Sequence, residues 1–200
     1  MKNQIIKNIF SNYFVNILQM VLGILVVPFL IMKLGKEAFG LIVLVESTIA
    51  IFEVMIVSVR IALSRHATYA LGKGDIEEFV KYLSTGKYIL WVVGFIILIS
   101  CSTLSYFFPQ IFKVPVDMFV QSKILFLLVT FSFFITIPNI VYWSILYAKQ
   151  RFDLLNIASS FGLISRAFFI FLLFSILPRA YQSLVTYGFI YLTMKAVENS

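Results

Sequence analysis

Five stretches of the chain stay apolar for twenty residues or more: 13–32, 39–59, 88–108, 124–146 and 154–177. An α-helix rises about 1.5 Å per residue, so about 20 residues cross a hydrocarbon core of ~30 Å. None of these runs alternates apolar and polar positions as a barrel strand does. Lipid also offers an open backbone no hydrogen-bond partner, so each run is predicted to be a membrane-spanning helix. A shorter run at 181–196 is expected to complete a bundle of about six spans, with Lys195 snorkelling to the interface. The chain is thus read as all-α, one polytopic transmembrane domain over residues 1–200.

Polar residues punctuate the pattern. Between the second and third runs, 73–87 is expected to form an amphipathic segment on the cytoplasmic leaflet or the watery start of the third span. Asp75 can cap it, with Glu78 as the second member of a capping box. Ile76, Phe79, Val80 and Leu83 then share one face. Pro28 and Pro138 fall within the first and fourth runs, and each is expected to kink its helix by removing an N–H donor. Residues 13–32 are too long for the apolar core of a signal peptide and are predicted to be a retained span.

Composition supports a lipid environment: 61% of residues are hydrophobic, 12% are charged, and Phe occurs 22 times. A soluble chain of this length cannot hide so much apolar surface. The net charge of +7 lies between the hydrophobic runs, with no basic stripe for nucleic acid, and is read as a topology signal and a contact with anionic membrane lipid. Ten Lys and Arg (2, 7, 60, 65, 73, 81, 87, 149, 151 and 195) fall on one side and five (33, 36, 113, 123 and 179) on the other. The positive-inside rule then places both termini in the cytoplasm. A single Cys, Cys101, and a single His, His66, form neither a disulfide framework nor a metal cluster. With no nucleotide-binding or catalytic motif present, the chain is expected not to be an enzyme and to need no cofactor.

The informative residues are polar ones inside the spans. Glu46, Glu53 and Arg60 are spaced by seven, nearly two turns, and share one narrow face. Arg166 lies near the middle of the fifth run, where a guanidinium costs at least about 2.5 kcal/mol unless it is paired or hydrated. It is expected either to lock the bundle by pairing with Glu46 or Glu53 or to face an aqueous path. Asn12, Asn16 and Gln19 make an i, i+4, i+7 stripe in the first run, which either lines a cavity or joins helices. These polar faces are expected to turn toward a common hydrated cavity.

Three stretches carry a resemblance: Lys33-Leu34-Gly35-Lys36-Glu37-Ala38-Phe39-Gly40-Leu41, the segment from Arg60 through Arg65 and Ala67 to Gly72-Lys73-Gly74-Asp75, and Ala148-Lys149-Gln150-Arg151-Phe152 with Asn156. In order and spacing they resemble the polysaccharide-export flippases of the multidrug/oligosaccharidyl-lipid/polysaccharide exporter superfamily. Val57-Ser58-Val59 departs from the glycines frequent at that place. The resemblance covers the chain as the N-terminal half of a two-bundle exporter, which implies a fragment needing a second six-span half or a homodimer.

The implied activity is translocation of a polyprenyl-pyrophosphate-linked oligosaccharide across the bacterial inner membrane for cell-surface polysaccharide synthesis. On that reading Arg60, Arg65 and Arg166, with Asn12, Asn16 and Gln19, are substrate-binding candidates, and Glu46 and Glu53 are candidates for H+ or Na+ coupling. The alternatives are a cation-coupled drug or small-molecule exporter, a membrane-embedded enzyme of glycan assembly, and a non-catalytic assembly subunit. The short outer loops, whose acids are Glu37 and Asp117, disfavour the enzyme.

Overall fold

The computed structural model describes residues 2–176 and 184–198. Among them are seven α-helices and no strand: α1 (Lys2–Leu34), α2 (Lys36–Lys73), α3 (Ile76–Ile111), α4 (Phe119–Thr136), α5 (Asn139–Ala148), α6 (Phe152–Ile176) and α7 (Leu184–Glu198), with one 3-10 turn at Val116–Met118. Five are long and apolar enough to cross a membrane: α1, α2, α3, α4 with its preceding turn, and α6. Leu177, Arg179 and the expected start of the sixth run at 181–183 lie outside the described residues.

The helix count exceeds the expected six because the run 124–146 breaks at Pro138. Proline has no N–H and cannot bond back to the carbonyl four residues earlier. Here the Ile137 N–H turns to the Phe134 carbonyl at 3.2 Å, and the Ile140 N–H to the Ile137 carbonyl at 3.2 Å. These shorter i→i−3 bonds replace the α ladder around the proline and separate α4 from α5. Pro28, by contrast, is accommodated within the unbroken helix α1.

Helices α2 and α3 outrun their apolar segments. At 38 and 36 residues they measure about 57 and 54 Å, more than the ~40–45 Å of a whole bilayer. Their ends are set by local chemistry. Gly74 adopts φ 76°, and its N–H bonds to the Leu71 carbonyl while the Asp75 N–H reaches the Ala70 carbonyl, a Schellman stop. Asp75 then caps α3 by accepting from the Glu78 N–H at 2.8 Å. The reciprocal half of the expected capping box is missing because the Asp75 N–H is already committed; Glu78 accepts from the Tyr82 hydroxyl instead. Segment 73–87 is therefore the tight turn and first turns of α3, with Phe79 and Leu83 buried.

The core lies among α2, α3, α4 and α7, built on Val45, Leu90, Ile97, Phe108, Leu125, Phe126, Val129 and Leu184. Its helices approach closely where α3 and α7 carry glycine: a Cβ at Gly86 would sit 2.5 Å from Leu63 Cδ1, and one at Gly188 would sit 2.8 Å from Leu128 Cδ1. Helix α5 joins α2 through a buried hydrogen bond of 3.1 Å from Ser64 Oγ to Ser144 Oγ. Helix α1 packs along α6 and exposes Phe10, Phe14, Met20 and Ile24, an apolar face suited to lipid.

The foot of α1 is polar. Gln4 donates to Asp153 Oδ1 at 3.0 Å, Asn8 donates to the Gln150 carbonyl at 3.1 Å, and Asn156 donates to Ser11 Oγ at 2.9 Å. Asn8 Oδ1 also accepts from the Asp153 N–H at 3.2 Å, so α1 supplies an acceptor to a first-turn N–H of α6.

The glycine contact yields a test. Gly86→Leu will overfill the α2–α3 seam and lower stability by about 1–3 kcal/mol. Adding Leu63→Ala should restore much of the loss, as read by thermal unfolding in detergent; equal melting temperatures for the single and double variants would refute the close approach.

Candidate functional site

Arg166 projects from α6 and meets α2 and α7. Its Nη2 donates to Glu46 Oε1 at 2.8 Å and to the Tyr187 hydroxyl at 2.5 Å, while that hydroxyl donates to the same Glu46 oxygen at 2.8 Å. The Tyr191 ring, one turn along α7, lies 4.3 Å from the guanidinium carbon. The cation is thus answered by a carboxylate, a hydroxyl and an aromatic face, in keeping with the high cost of a bare charge in hydrocarbon. The pair is partly accessible, with 32% of the Arg166 and 35% of the Glu46 side chain exposed.

This cluster separates two cavities, and Glu46 borders both. The larger, about 760 Å³, lies between α2, α4, α5, α6 and α7. Glu46, Glu53 and Arg60 descend one of its walls, spanning about 21 Å along α2. Opposite are Asn139, Tyr142 and Trp143 of α5, Ser159 of α6, and Tyr191 and Lys195 of α7. The smaller, about 290 Å³, is lined by α1, α2, α6 and Tyr187 of α7. It is mostly apolar, with Gln19, Glu46, Arg166 and Tyr187 as its polar members.

The structure therefore brings Glu46, Glu53 and Arg60 to one cavity and places Arg166 against its neighbour. Gln19 borders the smaller cavity, whereas Asn12 and Asn16 are exposed and line neither. Arg65 is exposed beyond the cavity end of α2. Asn156 is bound to Ser11 at the α1–α6 contact rather than lining either cavity.

Sequence reasoning passed over Tyr187 and Tyr191 and read Lys195 as snorkelling to the interface, whereas Lys195 lines the larger cavity; the i, i+4, i+8 spacing of the three marks one face of α7. It also passed over Trp143, over whose ring Arg60 sits at 4.5 Å. Among the described residues no group of three His, Cys, Asp or Glu forms a metal site.

The MatE family model matches residues 11–174, which include α1 from its third turn onward, all of α2 to α5 and α6 up to Phe174. The chain belongs to the MatE family. It lies within the exporter superfamily to which its linker and loop motifs pointed, and is a multi-pass membrane protein. This MatE chain is 21% identical over 176 residues to the uncharacterized membrane protein EpsK of Bacillus subtilis (strain 168). That match covers 88% of the chain but 35% of EpsK, so the chain spans about a third of its relative's length. No solved structure is a significant match. Glu46, Glu53, Arg60 and Arg166 fall within the MatE match, and Tyr187 and Tyr191 beyond it.

The shared oxygen of Glu46 predicts strong coupling between α2 and α6. Glu46→Leu strands the Arg166 cation and Arg166→Leu strands the carboxylate, so each single variant should unfold at lower temperature than the double. The coupling energy from the double-mutant cycle should reach about 1 kcal/mol or more, whereas additive effects would show that the pair does not hold the helices.

Proposed function

We propose that this MatE chain forms one bundle of a flippase that moves a polyprenyl-pyrophosphate-linked oligosaccharide across the bacterial inner membrane, for surface polysaccharide synthesis. The observation that carries the reading is the 760 Å³ cavity, whose wall sets Arg60 beside Trp143 and faces Tyr142, Tyr191 and Lys195. A lipid-linked glycan presents an anionic pyrophosphate and a polar sugar chain. Arg offers forked donors to phosphate oxygens, and aromatic and carboxylate groups suit sugar rings and hydroxyls. Arg60 is the first candidate contact; Arg65 would meet substrate only at the cavity entrance, and Arg166 would act through its cluster. Gln19 would meet the substrate only from the smaller cavity, Asn12 and Asn16 only on the exposed face of α1 outside both cavities, and Glu46 and Glu53 would take H+ or Na+ if transport is ion-coupled.

Alternating access places such sites between two bundles, so the partner on this reading is a second six-span half or another copy. The lysines and arginines clustered at the α1 foot, the α2–α3 turn and the α5–α6 turn support a cytoplasmic N-terminus. A second reading, a cation-coupled drug exporter, is favoured by Glu53, an exposed cavity carboxylate outside both ion pairs found among the described residues.

Complementation decides between them. A bacterium lacking its lipid-linked glycan flippase should regain surface glycan when given this chain joined to a second bundle, and should lose it on Arg60→Gln at equal protein level. Glycan export undiminished by Arg60→Gln would remove the proposed phosphate contact. Failure to restore glycan, together with Glu53-dependent efflux of a cationic dye, would establish the exporter instead.

A further inference from the structure

Among the described residues, Arg60 is held by an aromatic face and by no counterion. Its guanidinium carbon lies 4.5 Å from the centre of the Trp143 ring, and its buried Nε has no hydrogen-bond partner. Trp143 is fixed in turn. Its ring stacks on Tyr147 at 5.1 Å, and Tyr147 meets Phe152 edge-on at 5.0 Å. An aromatic column thus runs from the cavity wall to the first residue of α6. The geometry matters because a carboxylate partner would occupy guanidinium N–H donors, whereas a π face attracts the cation without using any of them.

We propose that Trp143 is a positioning residue that holds the Arg60 guanidinium ready for an oxyanion of the phosphate or pyrophosphate class. Tyr147 and Phe152 keep the indole in place from the α5–α6 turn. A ligand bound at Arg60 must change the electrostatic surroundings of the Trp143 ring, so the residue reports on the site it builds. The inference deepens the flippase reading and rests on the cavity being a path for an anionic group.

The chain has two tryptophans, Trp91 and Trp143. Replacing Trp91→Phe leaves Trp143 as the sole indole emitter in the purified, lipid-reconstituted chain. Titration with inorganic pyrophosphate should then give a saturable change in emission that Arg60→Gln abolishes. By calorimetry, Trp143→Phe, which keeps an aromatic face, should hold affinity within about threefold, and Trp143→Leu should lose about tenfold. A merely structural tryptophan would give neither the emission change nor the rescue by Phe. Wild-type affinity in Trp143→Leu, or Arg60-dependent binding that leaves Trp143 emission unmoved, overturns the proposal. So does absence of pyrophosphate binding by the unmodified chain. The flippase reading stands or falls separately, on glycan export in complementation.

Discussion

A guanidinium halfway through a hydrophobic helix constrains everything around it. Arg166 costs at least about 2.5 kcal/mol in lipid unless it finds compensation, and its compensation is spread over two other helices. Glu46 is 120 residues away in sequence and Tyr187 is 21 residues away, yet both converge on one nitrogen. Satisfying that nitrogen fixes the rotation of α2, α6 and α7 together, since a turn of any one would carry its group away. It also fixes where polar space begins and ends. Because Glu46 borders both cavities, the cluster stands where the larger cavity, which holds Glu53, Arg60 and Lys195, meets the more apolar smaller one.

The backbone contributes a second constraint. Where Pro138 breaks the ladder, α5 is released from the line of α4 and lies against α2, as the Ser64–Ser144 hydrogen bond records. Asn139, Tyr142 and Trp143 then face the carboxylate ladder of α2 across the large cavity. A proline read from sequence as a kink is thus, in three dimensions, the hinge point that furnishes one wall of the chamber.

Much of this was legible because lipid imposes simple rules. Long apolar runs had to be helices, and the sevenfold spacing of Glu46, Glu53 and Arg60 had to put them on one wall. The helix ends were not legible in the same way. Hydrophobicity marked the end of the second run near Val59, but the helix continues to Lys73, where Gly74 rather than water stops it. Nor could the chain order alone choose between Glu46 and Glu53 as the partner of Arg166, because the two share one helix face and the decision rests on the depth at which α6 packs. Helix α1 shows the ambiguity most plainly. Gln4, Asn8 and Ser11 repeat the very spacing of Asn12, Asn16 and Gln19 two turns earlier, and only the nearby Gln150, Asp153 and Asn156 decide which set is bonded to the bundle.

The same spacing explains why the cavity keeps charges available. Residues three or four apart on a helix meet, while residues seven apart share a face but stand about 10 Å from one another. Glu53 and Arg60 are therefore aligned yet too distant to neutralise each other, and neither belongs to the ion pairs among the described residues. Glu46 and Arg166, on different helices at the same depth, do meet. One pair of charges is consumed in joining helices. The other is held apart by the pitch of α2, with the arginine resting on an indole that takes none of its donors. The pitch of α2 keeps its own charges apart, and the depth at which α6 packs decides which of them is consumed in joining helices and which stays available in the cavity.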